Sequence, residues 1–183
     1  MSEKLKEKAK LKPEAYQEIT SILESSLGGS SYANALSCIG CGLCYAKCPS
    51  GEFTAFTIFK IIRLARLGLL DKVLPLRELW MCTTCYTCQD SCPYGVAVTD
   101  NLRAIRNLAF KSGFARPQHV AVAKNVFETG HTIPYRESDA VKRRELGLPE
   151  PPTTLKFSEA LKQVRKLLFL TGFQEVLEQY GGK

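Results

Sequence analysis

The sequence predicts a mostly α-helical protein, and three observations carry that prediction. Apolar residues recur at helical spacing in several segments, among them 16–23, 102–108 and 161–168. Prolines and glycines bracket those segments as helix openers and closers: Pro13 precedes and Gly28 follows the first, and Pro117 and Gly130 enclose another. Strand-like character is confined to Val96-Ala97-Val98 and to residues 120–123. At 183 residues the chain has room for one ordinary domain, or a smaller one with arms. An apolar share of 45% and a charged share of 23% exclude wholesale disorder.

Taken in order, residues 1–12 intersperse Lys4, Lys6, Lys8, Lys10 and Lys12 with other residues, the pattern of a solvated arm. Pro13 suits a helix N1 position, Tyr16, Ile19, Ile22 and Leu23 form a stripe, and Gly28-Gly29 stops it. Residues 1–30 are thus expected to be an N-terminal helical arm. The segment 52–70 is predicted to be a helix with a narrow polar stripe of Thr54, Thr57, Lys60, Arg63 and Arg66 on an otherwise apolar surface. Such a helix is expected to be central, with its cations either beside anionic groups or simply solvated. Asp71 is placed to cap a short helix leading to Trp80. Thr99 or Asp100 is placed to cap a helix carrying Leu102, Ile105 and Leu108, ended by Gly113. Pro117 opens another, with Val120, Ala123, Val126 and Phe127 on one side. The main domain is expected to span 31–130. Residues 131–183 are expected to hold a linker around GLPEPPTT (147–154) and a last helix starting near Ser158, which either folds back or docks on a partner.

No stretch of about 20 apolar residues is present, so no transmembrane helix is expected. The opening MSEKLKEKAKLK is charged throughout and lacks the features of a secretory signal. A reducing cytoplasm is the expected compartment, where structural disulfides are rare.

Against that background the eight cysteines are the most informative residues. They form two copies of one motif, C-x2-C-x2-C-x3-C-P, at Cys38, Cys41, Cys44, Cys48 and at Cys82, Cys85, Cys88, Cys92. This is the spacing of bacterial-type iron–sulfur ligation. Three thiolates on a tight loop reach three corners of a cubane, and the fourth, before proline, leaves the loop and in two-cluster proteins binds the other cluster. The expected ligand sets are Cys38, Cys41, Cys44 and Cys92 for one [4Fe–4S] cluster and Cys82, Cys85, Cys88 and Cys48 for a second. Zinc favours four tetrahedral ligands, usually from two separated pairs, which a third cysteine and a Cys-Pro do not suit. Between the ligands, Gly40 and Gly42 permit close backbone approach, and Thr83, Thr84 and Thr87 offer hydroxyls, so the two clusters need not have equal potentials.

The formal net charge of +7 raises the question of nucleic acid. Eight thiolates around two oxidised four-iron cores cancel more than half of that excess. No zinc-finger histidines, aromatic RNA-binding string or contiguous basic patch accompanies it, and no nucleic-acid partner is expected. A catalytic constellation is also missing from the sequence: His119 and His131 are the only histidines, and neither a Gly-rich phosphate loop nor a G-x-S-x-G pattern occurs. With every iron assigned a thiolate, no open metal position remains for substrate, so no catalytic residue is expected in this chain.

The segments CIGCGLCYAKCP (38–49) and WMCTTCYTCQDSCPYGV (80–96), separated by a helical insert, resemble the α-helical ferredoxin, a module also found in succinate and fumarate dehydrogenases. With helical arms alone around it, the chain looks most like the C-type iron–sulfur subunit of heterodisulfide reductase from methanogenic archaea, over roughly residues 31–130. That resemblance implies an electron-transfer subunit of an oxidoreductase acting in methanogenesis. It would relay electrons between an A-type flavoprotein and a B-type subunit that reduces the coenzyme M–coenzyme B heterodisulfide, in a complex that includes a hydrogenase or formate dehydrogenase module. Unlike the succinate dehydrogenase relatives, this chain has no plant-type [2Fe–2S] region and no replaced ligand. A relay subunit of another soluble oxidoreductase (glycolate, succinate/fumarate or sulfur-compound type) and a structural or regulatory metal-binding interaction module are the alternatives.

Overall fold

The computed structural model describes residues 34–180, so the expected N-terminal arm lies outside the described residues. Contacts divide the chain into two compact units, one ending at Phe110 and one beginning at Lys111. The described residues contain helices and no strands, as the mostly α prediction requires. Of Val96-Ala97-Val98 only Val98 is helical and 120–123 lies inside a helix, so neither fragment forms a strand.

In the first unit a 3-10 turn, Asn34–Ser37, leads to the first cysteine loop and α1 (Leu43–Ala46). Next come α2 (Pro49–Phe53), α3 (Ile58–Arg66), α4 (Leu70–Val73), a 3-10 turn (Arg77–Met81), α5 (Thr87–Asp90) and α6 (Val98–Lys111). The helix expected over 52–70 is interrupted. Thr54 takes an extended conformation and closes α2, its hydroxyl donating to Ser50 O (2.6 Å) and accepting from Phe56 N–H (3.1 Å). Such local side-chain bonds compete with helix continuation. The chain re-enters a helix at Ile58 with one face, Ile58, Ile61, Ile62 and Ala65, fully buried.

That face meets Phe56, Val73, Leu79, Val96, Leu102, Ile105 and Leu108 in one core. Each large aliphatic side chain buried there contributes about 1.5–3 kcal/mol. Cys88 belongs to this core, and Cys38, Cys44, Cys48, Cys82 and Cys92 pack against it. The core is therefore also the floor of the cysteine site.

The second unit holds α7 (Pro117–Thr129), α8 (Glu137–Glu145), α9 (Thr153–Lys156), α10 (Ser158–Leu170) and α11 (Phe173–Tyr180). Pro117 opens α7 and Gly130, at φ +76°, closes it. Acidic Glu137 and Asp139 at the start of α8 and Lys142, Arg143 and Arg144 at its end suit the helix dipole. The single last helix expected from Ser158 is two helices, because Gly172 takes a φ of +70° and breaks the chain between them. Both pack on α7, with Leu177 and Ala123 buried. Arg165 donates to the carbonyls of Phe127 and Glu128 (3.0 Å each) at the end of α7. The helix at 117–129, expected with the cysteine domain, thus belongs to the second unit.

Candidate metal centre

The third cysteine of each motif sits on a short helix, Cys44 on α1 and Cys88 on α5, and these two helices are in contact. The two cysteine loops therefore converge. In the first loop the chain turns through left-handed conformations at Gly40 (φ +77°) and Gly42 (φ +80°). A Cβ at Gly42 would meet nothing within 4 Å, so the demand there is conformational rather than one of space. A cavity of about 370 Å³ lies against this loop. Cys38, Cys41 and Cys44 line it, and so does Cys92 from the second motif. Phe59, Ile62, Val96 and Val98 form its apolar wall, and Arg63 and Arg66 are its charged residues.

The second loop reaches the same backbone shape with different residues. Counted from the first cysteine, Thr84 (φ 55°) and Tyr86 (φ 63°) stand where the first loop has Gly40 and Gly42. A non-glycine residue in this region costs roughly 1–2 kcal/mol. Hydrogen bonds of about 1 kcal/mol each offset that cost. Tyr86 Oη donates to Asp100 Oδ1 (3.1 Å) and accepts from Arg103 Nη1 (3.1 Å). Gln89 Nε2 donates to Asp100 Oδ2 (3.0 Å), while Gln89 Oε1 accepts from the Thr99 N–H (3.1 Å) and the Asp100 N–H (3.4 Å). Arg106 reaches back from α6 to donate to Leu79 O and Cys82 O, both at 2.8 Å, with its guanidinium over the Trp80 ring.

Sulfur atoms receive hydrogen bonds in both motifs. Cys48 Sγ accepts from Gly51 N–H and Cys92 Sγ from Val96 N–H, each at 3.4 Å, and Cys82 Sγ accepts from Thr84 N–H at 3.3 Å. Thr99 Oγ1 lies 3.3 Å from Cys88 Sγ. Burial, followed by the nearby Cys88, Cys38 and Cys41, pushes the Cys44 thiol up to about 11. Burial likewise raises Cys88; the Thr99 hydroxyl opposes this, and Cys82, Cys48 and Cys85 add to it. Cys85, at the exposed edge, is lowered by the Thr87 hydroxyl and backbone, with Thr83 contributing.

These neighbours place each expected site residue. Cys92 shares the cavity of Cys38, Cys41 and Cys44, and Cys48 lies close enough to Cys88 to act on its charge along with Cys82 and Cys85. The middle cysteines, Cys41 and Cys85, are exposed, and Cys88 is buried. The donor chemistry fits iron–sulfur clusters. Four thiols border a space wider than one ion needs, its wall carries no carboxylate or imidazole, and its cations offset thiolate charge. Among the described residues no group of three or more His, Cys, Asp and Glu side chains is set to hold a single metal ion.

Of the cations foreseen on the polar stripe, Arg63 and Arg66 border the cavity, while Lys60 is exposed and is not among its lining residues. Thr99, assigned from sequence to a helix cap, instead approaches a cysteine sulfur. Arg106 and the Tyr86–Gln89–Asp100 network carry no sequence signal, since their partners lie on other elements. His131 Nε2 is 2.7 Å from Thr154 Oγ1 in the second unit.

A family model described as a 4Fe-4S dicluster domain matches residues 34–96. The C-type iron–sulfur subunit of CoB–CoM heterodisulfide reductase from Methanopyrus kandleri is 39% identical over 168 residues, covering 91% of this chain and 88% of that protein. The C-type subunit of the H2:CoB-CoM heterodisulfide,ferredoxin reductase from Methanothermobacter marburgensis is 44% identical over 141 residues, 76% of each chain. The C-type subunit of the ferredoxin:CoB-CoM heterodisulfide reductase from Methanosarcina mazei is 46% identical over 142 residues, 77% of this chain and 88% of that one. With that likeness running through both cysteine motifs and most of the chain, the protein belongs to the family of C-type iron–sulfur subunits of heterodisulfide reductase.

Proposed function

We propose that this chain is the electron relay of a heterodisulfide reductase, passing electrons from an A-type flavoprotein to a B-type subunit that reduces the coenzyme M–coenzyme B heterodisulfide in methanogenesis. A hydrogenase or formate dehydrogenase module completes the complex, and the assembly works in the cytoplasm. The observation that carries the reading is the convergence of the two cysteine loops, with six of their eight cysteines in or against one apolar core, in a chain whose relatives are the C-type subunits of such enzymes. Each set takes one [4Fe–4S] cluster: Cys38, Cys41, Cys44 and Cys92 the first, and Cys82, Cys85, Cys88 and Cys48 the second. When bound, each cluster supplies a reversible one-electron carrier.

The chain's own residues hold that chemistry in place. The crossing of Cys48 and Cys92 ties the two loops together and keeps the clusters close. The core under the cysteines excludes water, and the exposed edges at Cys41 and Cys85 bring each cluster near the surface where a redox partner sits. Bond-making belongs to a partner subunit. On α10 Leu167, Phe169 and Leu170 are exposed and offer apolar contacts to a partner. Among the described residues no helix is long and apolar enough to cross a membrane.

Anaerobic native purification with identification of the bound subunits tests the proposal. Recovery of a flavoprotein together with a cysteine-rich B-type subunit is the expected result. Partners that oxidise hydroxy acids would overturn it in favour of another relay.

A further inference from the structure

We propose that Thr99 is a positioning residue for the second cluster, its hydroxyl donating to the sulfur of Cys88 and raising that cluster's reduction potential alone. The inference rests on the cluster assignment above. Thr99 is 1% exposed and Cys88 7% exposed, so their 3.3 Å contact is shielded from water. Either atom of a free thiol pair can donate. A cysteine bound to iron has no proton left, so the hydroxyl becomes the donor and the sulfur the acceptor. A hydrogen bond to a ligand sulfur stabilises the extra negative charge of the reduced cluster and moves its potential upward.

The geometry that aims Thr99 is built from two elements. Gln89, one residue after Cys88 on α5, accepts from the Thr99 N–H and so holds the first turn of α6 against the helix that carries the ligand. Gln89 is itself held by Asp100, which is buried and also accepts from Tyr86. The hydroxyl therefore has a fixed partner and a fixed approach. Thr99 sits on the first turn of α6 and its contact to sulfur is with Cys88 of the second loop. A change at Thr99 should thus separate the two clusters.

The test is an EPR-monitored redox titration of the anaerobically purified protein carrying Thr99→Val, which removes the hydroxyl and keeps the shape. Wild type must first show about eight irons per chain and two cluster signals; their absence would overturn the cluster assignment itself, independently of Thr99. Given two signals, Thr99→Val is expected to lower one midpoint potential, by about tenfold in its reduction equilibrium (about 59 mV for a one-electron couple), and leave the other in place. The shifted signal should be the one that Cys85→Ser alters, and Thr99→Ser should restore the wild-type value. Unchanged potentials, equal shifts in both clusters, or a shift confined to the signal altered by Cys41→Ser would each overturn the proposal. Thr99→Ser, which keeps the hydroxyl in a smaller side chain, supplies the control if Thr99→Val loses iron: loss of iron in Val with normal iron and potentials in Ser supports the hydroxyl, and loss in both overturns it.

Discussion

The two cysteine loops share one spacing and one backbone path, yet they reach it by opposite means. The first uses Gly40 and Gly42 for its left-handed turns and leaves a cavity lined by Arg63 and Arg66. The second forces Thr84 and Tyr86 into the same conformations and anchors Tyr86 through Asp100 and Arg103. One loop is permissive; the other is strained, hydrogen-bonded and tied into α6. Ligand spacing fixes which cofactor can bind, while the residues between and behind the ligands decide how each copy behaves.

The sharpest way to break the comparison is to remove a crossing ligand. Cys92→Ser should cost the cluster of the first loop, about four of eight irons, and spare the signal that depends on Cys82, Cys85 and Cys88. Iron analysis with EPR reads the outcome, and loss confined to the second-loop signal would mean each motif binds its own cluster. Asp100→Ala comes next. It strands Tyr86 and Gln89 without their acceptor and should destabilise the chain by about 1–3 kcal/mol, seen as a lower unfolding midpoint, with the second cluster lost before the first on warming.

Gly42→Ala should cost about 1–2 kcal/mol from backbone strain alone, since no neighbour stands in the way. Tyr86→Gly makes the reciprocal exchange, relieving strain but losing two hydrogen bonds, and should fall within about 1 kcal/mol of wild type. Equal and large losses at both positions, measured by chemical denaturation, would erase the distinction between the loops. The smallest effect is expected from Arg63→Gln. It removes an exposed cation from the first cavity, so the first cluster's potential should drop slightly, and high salt should shrink the difference.

Much of this was legible in the sequence because cysteine spacing is a direct imprint of cluster geometry. The helix limits at Pro117 and Gly130 were readable for a similar reason, each residue having one strong backbone preference. What stayed hidden depended on distant partners. The break after Phe53 follows from Thr54 bonding to its own neighbours, and the break at Gly172 from a left-handed turn inside an unbroken apolar pattern. The left-handed Thr84 and Tyr86 could not be foreseen, because neither residue favours that region and the bonds that anchor Tyr86 come from α6. Thr99 looked like a helix cap, and only the packing of α6 on α5 brings its hydroxyl to Cys88.

The most direct measurement is iron quantification combined with an EPR redox titration of the chain purified without oxygen. About eight irons and two magnetically distinct clusters with separate potentials are the result expected from two unlike loops. A single cluster, zinc in place of iron, or two clusters with indistinguishable potentials would contradict the account.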